Sequence, residues 1–99
     1  MSFALAKFNH LRAMAQGRDC MVRLPGICCG DPERVVLAHF RLSGISGMGL
    51  KPPDEIAAWC CDTCHRVIDT DKSPEIQLAF AHGVFRTQAT LLREGKLSE

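Results

Sequence analysis

Tyrosine is missing from this 99-residue chain, which has one tryptophan and five phenylalanines. A large aromatic core is therefore excluded. No run approaches the roughly 18 apolar residues of a membrane span. Residues 1–14 look apolar and basic, but they hold no uninterrupted hydrophobic region and no clear cleavage site. The expectation is a cytoplasmic, reducing compartment and no membrane partner. An excess of one charge is also lacking, since 12 Lys and Arg stand against 11 Asp and Glu, for a net charge of +1. The overall balance gives only weak support for a polyanionic partner. The distribution says more: Lys7, Arg12, Arg18 and Arg23 face only Asp19 in residues 1–23, whereas Asp69, Asp71 and Glu75 collect further on. Repeats and low-complexity segments are absent, and the length suits one small domain rather than two.

Six cysteines are present. A short chain with a modest core often needs a staple, and in a reducing compartment cysteine pairs favour zinc over disulfides. Cys61-Asp62-Thr63-Cys64 is the specific half-site, because two thiolates separated by two residues can chelate one ion. Cys20 and Cys28 would supply the other half. Cys29 competes with Cys28 in this scheme, and Cys60 competes with Cys61. A closed four-thiolate site is structural, and bound zinc is worth about 10 kcal/mol or more of folding free energy. His65 follows Cys64 directly. Asp69 lies one helical turn beyond, so the two share a face and can hold a second ion.

Residues 3–16 read as a helix, with Phe3, Leu5, Ala6, Phe8 and Leu11 as its stripe and Gly17 as its stop. Residues 18–24 alternate like a strand and Pro25-Gly26 is a turn, and the stretch through Gly30 looks like a loop that places Cys20 and Cys28 close together. Residues 34–41 give the strongest strand signal, with Val36, Ala38 and Phe40 on one face and Val35, Leu37, His39 and Arg41 on the other. The glycine-rich stretch 42–53 is a loop without a phosphate-loop ending. A second short strand is expected near 49–51 or 56–59, with Trp59 packed in the core beside the cysteines. Asp62 reads as the N-cap of a helix reaching about residue 69 or 70. Ser73-Pro74 opens another helix, whose inward stripe is Ile76, Ala79, Phe80, Gly83, Val84, Thr87, Leu91 and Leu92. Arg41 follows the strand histidine, Lys51 precedes Asp54 and Arg66 follows His65, and all three are candidates for phosphate contacts.

Strand histidine, glycine-rich loop, polar Asp54, Cys-x-x-Cys-His, then an acid: this order is what a ββα-metal site needs. A hairpin histidine activates water as general base. The following helix supplies ligands to a divalent ion that binds the scissile phosphate. In this arrangement His65 leaves the cysteine site and faces His39 across the hairpin.

The run from Cys20 to Asp69 resembles an HNH-type (His-Me finger) endonuclease with a zinc-binding cysteine cluster. Cys20-Met-Val-Arg-Leu-Pro-Gly-Ile-Cys28, Val36-Leu-Ala-His39-Phe-Arg-Leu, Lys51-Pro-Pro-Asp54 and Cys61-Asp-Thr-Cys64-His65-Arg-Val-Ile-Asp69 are similar, more closely, to the small prophage-encoded YbcO-like nuclease family. The resemblance covers most of the chain. It implies a single α+β domain over 1–99: a helix over 3–16, a zinc-stapled ββα-metal core over 18–70 and a helix over 74–94. It places structural zinc on Cys20, Cys28, Cys61 and Cys64, with Cys29 and Cys60 as extras. It makes His39 the general base and His65 the metal-binding histidine, and it puts Asp54 near the Asn that fixes loop and hairpin. Ala38 stands where many relatives carry a metal-binding acid, and Asp69 is the candidate to replace it. The implied activity is metal-dependent DNA hydrolysis with Mg2+, Mn2+ or another divalent ion. The rival is a non-catalytic zinc module that binds DNA or protein. Neither reading sets the oligomeric state.

Overall fold

The computed structural model describes residues 11–41 and 53–97. The helix expected over 3–16 is therefore covered only at its end, where residues 11–13 are helical and Leu11 and Ala15 are buried. Lys51 and most of the glycine-rich loop lie outside the described residues.

Among the described residues two strands form the sheet. β1 is Val35–His39 and β2 is Ala57–Cys61, paired antiparallel with Val35 opposite Cys61, Leu37 opposite Trp59 and His39 opposite Ala57. A single 3-10 turn, Pro32–Arg34, precedes β1, and the Asp31 side chain accepts from the Glu33 N–H at its start. The Phe40 N–H donates to the Ile56 carbonyl at 2.9 Å and extends the ladder by one pair. That bond sets the parity. Residues 36, 38 and 40 point their backbone groups at β2, whereas 35, 37 and 39 turn theirs to the other edge of β1.

β2 is buried at every residue. Its second edge is covered rather than paired. The Met21 N–H donates to the Trp59 carbonyl at 2.7 Å, and the Trp59 N–H donates to Thr87 Oγ1 at 3.0 Å. Residues 18–24 thus meet β2 through one backbone–backbone bond and form the expected loop rather than a regular strand, despite their alternation. Their buried Cys20, Val22 and Leu24 alternate because every second side chain faces the core. Arg23 between them sits at φ 56, a left-handed conformation that no regular strand allows.

Helix α1, Asp62–Thr70, follows β2 without a connection. Cys61 is its N-cap and no side chain caps it. Asp62 therefore does not act as the cap; it is a first-turn acid that favours the helix through the dipole. Cys64 and Ile68 are its buried residues. At the turn after it, Asp71 Oδ1 accepts the Ser73 N–H at 3.0 Å, and this bond holds the Asp71 carboxyl below its ordinary range.

Helix α2, Pro74–Arg93, starts at Ser73-Pro74, with Ser73 as N-cap but without a side-chain capping bond. Phe80, Gly83, Val84, Thr87 and Leu91 face inward. Leu92 does not: it is 47% exposed, one residue past the inward arc that ends at Leu91. Gly83 lets the helix approach the 18–24 loop, since a Cβ there would lie 2.9 Å from Val22 Cγ2 and 3.1 Å from Val22 Cα. Trp59 fills the centre at 1% exposure, with the Arg18 guanidinium 4.6 Å above its ring. Arg18 also makes a two-pronged pair with Glu94, at 2.6 and 2.7 Å, which ties the loop to the end of α2.

Candidate functional site

Two neighbouring arrangements carry the chemistry. The first is the thiol cluster. Pro25-Gly26 makes a tight turn in which Gly26 takes φ 74, and both Ile27 and Cys28 donate their N–H groups to the Leu24 carbonyl. This folds Cys28 back toward Cys20. Cys61 at the end of β2 and Cys64 in the first turn of α1 complete the group. The four sulfurs lie within 4.8 Å of one another, and Cys61 Sγ is 3.9 Å from Cys28 Sγ. A tetrahedron with Zn–S of about 2.3 Å has edges of about 3.8 Å, so the set fits one zinc-sized ion. None of the six cysteines is in a disulfide.

The sulfurs are not equivalent. A hydrogen bond from the Cys60 thiol holds Cys20 down to about 4, against the burial that opposes it. Burial pushes Cys61 up, but the Thr63 hydroxyl and backbone N–H groups outweigh it and bring Cys61 to about 7. Burial pushes Cys28 and Cys64 up. An ion entering this cluster would meet the Cys20 thiolate and displace the protons that the other three thiols still hold. Cys60 is fully buried and pushed far up by its bond to Cys20, so it supports the cluster as a thiol. Cys29 is exposed, with Sγ 3.7 Å from Asp62 Oδ1, and forms a smaller group with Cys61 and Asp62.

The second arrangement centres on Asp54. Its carboxylate is buried, with 2% of the side chain exposed. His39 Nε2 lies 2.5 Å from Asp54 Oδ1. Arg12 Nε donates to Asp54 Oδ2 at 3.1 Å and to Oδ1 at 3.3 Å. β1 brings His39 to its end, the turn at 53–56 brings Asp54 beneath it, and the helical residues 11–13 bring Arg12 from the other side. His39 and Arg12 both line an open cleft of about 630 Å3, together with Ala13, Gln16, Glu33, Val35, Val36 and Leu37. Among the described residues the edge of β1 away from β2 is unpaired and forms one wall, so the backbone groups of Leu37 and His39 face this space. Sequence reasoning did not select Arg12, Gln16 or Glu33 as site residues. Only the contrast between a basic N-terminal segment and its single acid pointed toward Arg12.

His65 and Asp69 occupy the outer face of α1, with His65 Nε2 3.7 Å from Asp69 Oδ2. Both side chains are substantially exposed. The two histidines therefore sit beside different carboxylates, His39 in a hydrogen bond and His65 at a longer distance. Among the described residues, His39, His65 and Asp69 do not gather within ligand-sharing distance; only the two cysteine-based groups do. Ala38 is buried and offers no ligand. Arg41 and Arg66 are exposed at the surface. No helix among the described residues is long and apolar enough to cross a membrane.

A family model described as "Putative nuclease YbcO" matches residues 9–96. Relatives called "Putative nuclease YbcO" from Escherichia coli K12 and "Putative nuclease ybcO" from Enterobacteria phage 82 are each 47% identical over 90 residues, covering 86% of this chain and 93% of theirs. A solved structure titled as a putative bacteriophage protein from Escherichia coli K-12 MG1655 superposes with a TM-score of 0.72 at 40% identity, over 87% of this chain and all of that one. The matched span takes in both the thiol cluster and the His39–Asp54–Arg12 group, and the chain belongs to the YbcO nuclease family.

Proposed function

We propose that this protein is a metal-dependent DNA endonuclease of the HNH (His-Me finger) type, of phage or prophage origin, built as one domain on a structural zinc held by Cys20, Cys28, Cys61 and Cys64. The observation that carries this reading is the buried Asp54 carboxylate, held between His39 and Arg12 at the edge of a cleft. With Nε2–H donated to Asp54, the imidazole keeps its Nδ1 lone pair free to accept a proton. A water beside it gives up that proton as its oxygen attacks phosphorus and the bond to the leaving oxygen breaks. Asp54 stabilises the imidazolium that forms and fixes the ring's orientation.

His65 and Asp69 would hold the divalent ion. One imidazole and one carboxylate on an exposed helix face suit an ion that keeps its waters and takes its other ligands from a phosphate. When bound, Mg2+ or Mn2+ supplies positive charge to the pentavalent phosphate and the departing oxygen. Arg41, Lys51 and Arg66 contact flanking phosphates in this reading. The free terminal nitrogens of the Arg12 fork add a further contact inside the cleft.

The test is nicking of supercoiled plasmid by zinc-loaded protein with added Mg2+ or Mn2+. Wild type is expected to nick, and His39→Ala to lose about 10²- to 10⁴-fold in rate, the usual contribution of a general base. Equal cleavage by the two removes His39 from the role. If neither cuts while the wild type binds DNA, the chain is a non-catalytic zinc-binding interaction module. The bare Ala38 position and the separation of His39 from the His65–Asp69 pair favour that second reading.

A further inference from the structure

We propose that the outer face of α2 is the contact of a two-fold, antiparallel homodimer. Leu78, His82, Phe85, Ala89 and Leu92 are all exposed, and their spacing is 4-3-4-3. That is the seam of a helix that packs against another helix, and it is narrower than a stripe meant for a globular core. Leu78, Phe85 and Leu92 are 57%, 64% and 47% exposed, and they are three of the five large apolar side chains most open to solvent among the described residues. The opposite face of the helix is already fully used by Phe80, Gly83, Val84, Thr87 and Leu91 against the core.

The pattern selects the occupant. An isologous contact must be complementary to itself under a two-fold rotation. Phe85 is the midpoint, with Leu78 seven residues before it and Leu92 seven after. Antiparallel docking therefore places Leu78 over Leu92 of the second copy, Phe85 against Phe85 at the axis, and His82 beside Ala89. The small Ala89 leaves room for the larger ring.

Charge sets the direction. Glu75 continues the seam at the N-terminal end, whereas Arg93 and Lys96 stand at the C-terminal end. Antiparallel packing brings Glu75 of each copy to Arg93 and Lys96 of the other. Parallel packing would set Glu75 on Glu75 and Arg93 on Arg93. No ion pair within the chain satisfies these three among the described residues: Arg93 donates only to Thr90 Oγ1. Arg86, the cation nearest the axis, is drawn aside to the Met21 carbonyl at 2.7 Å. A seam about 21 Å long, from Leu78 to Leu92 at 1.5 Å per residue, is a small interface, so association belongs at the weak end of specific contacts. This inference does not depend on the nuclease reading.

Sedimentation equilibrium of the full, zinc-loaded chain over roughly 1 µM to 1 mM tests it. A reversible monomer–dimer equilibrium is expected. Phe85→Glu should raise the dissociation constant by at least about thirtyfold, the loss typical of a central aromatic anchor, with circular dichroism and zinc content unchanged. Glu75→Arg and Arg93→Glu should each weaken the dimer, and the double exchange should recover it. A monomer across the whole range overturns the proposal, as does a dimer indifferent to Phe85→Glu. Failure of the double exchange to recover association overturns the antiparallel arrangement that the proposal states.

Discussion

Asp54 accepts from two donors in separate parts of the chain: His39 at the end of β1 and Arg12, 42 positions before Asp54. The buried carboxylate and the two donors satisfy one another, which removes the cost of burying it alone. Replacing it should therefore affect the histidine before it affects the fold. Asp54→Asn keeps the volume but sets an amide against the Arg12 guanidinium and removes the charge beside the imidazole. We expect a fall in kcat of about 10- to 100-fold, less than the loss of the base itself, with KM little changed. Steady-state cleavage kinetics check this, and an unchanged kcat would count against the dyad. At this scale the sequence was only partly legible. His39, Asp54 and the four cysteines stand out by type, order and spacing. Arg12 does not, because its role depends on a contact 42 positions away, and locally it is one more polar residue on an amphipathic helix. The Asp54–His39 bond was likewise invisible, because an acid in a loop says nothing about which donor it meets.

Elements came through where local chemistry and tertiary packing agree. The Ser73-Pro74 signal marks the observed start of α2, and the Val/Leu/Ala run marks β1. The loop that places Cys20 beside Cys28 is there too: residues 18–24 alternate in burial as a strand would, yet they meet β2 through one backbone bond and turn at Arg23. Local pattern failed where packing overrode it. Asp62 had the composition of an N-cap, but β2 runs directly into α1 and leaves Cys61 in that position. Gly83 is the residue through which α2 seats on this loop. Alanine there would gain about 1 kcal/mol in helix propensity. It would also meet Val22 backbone and side-chain atoms inside normal contact distance, an overpacking cost of about 1–3 kcal/mol. Gly83→Ala is expected to be net destabilising in urea unfolding. A stabilised variant would show that the loop yields easily.

At the scale of the whole molecule, the described residues contain one two-stranded sheet, and the thiol cluster joins it to the loop and the helix beside it. Cys20 and Cys28 come from the loop that covers β2, Cys61 from β2 itself and Cys64 from α1, so one ion would tie three parts of the chain. If that ion contributes about 10 kcal/mol, it rivals the entire stability of a typical small domain, about 5–15 kcal/mol. Purified protein should hold about one zinc per chain. A strong chelator, or Cys64→Ser, should collapse the thermal transition and expose Trp59 to quenchers. A metal-free protein that melts as the loaded one does would remove the structural role.

The proposed chemistry depends most heavily on His39 taking a proton from water while Asp54 holds its other nitrogen. Imidazole rescue tests this directly. Zinc-loaded His39→Gly, assayed on plasmid DNA with Mn2+, is predicted to be nearly inactive and to regain cleavage in proportion to added unprotonated imidazole. Cleavage by His39→Gly at the wild-type rate without imidazole would contradict that role for His39.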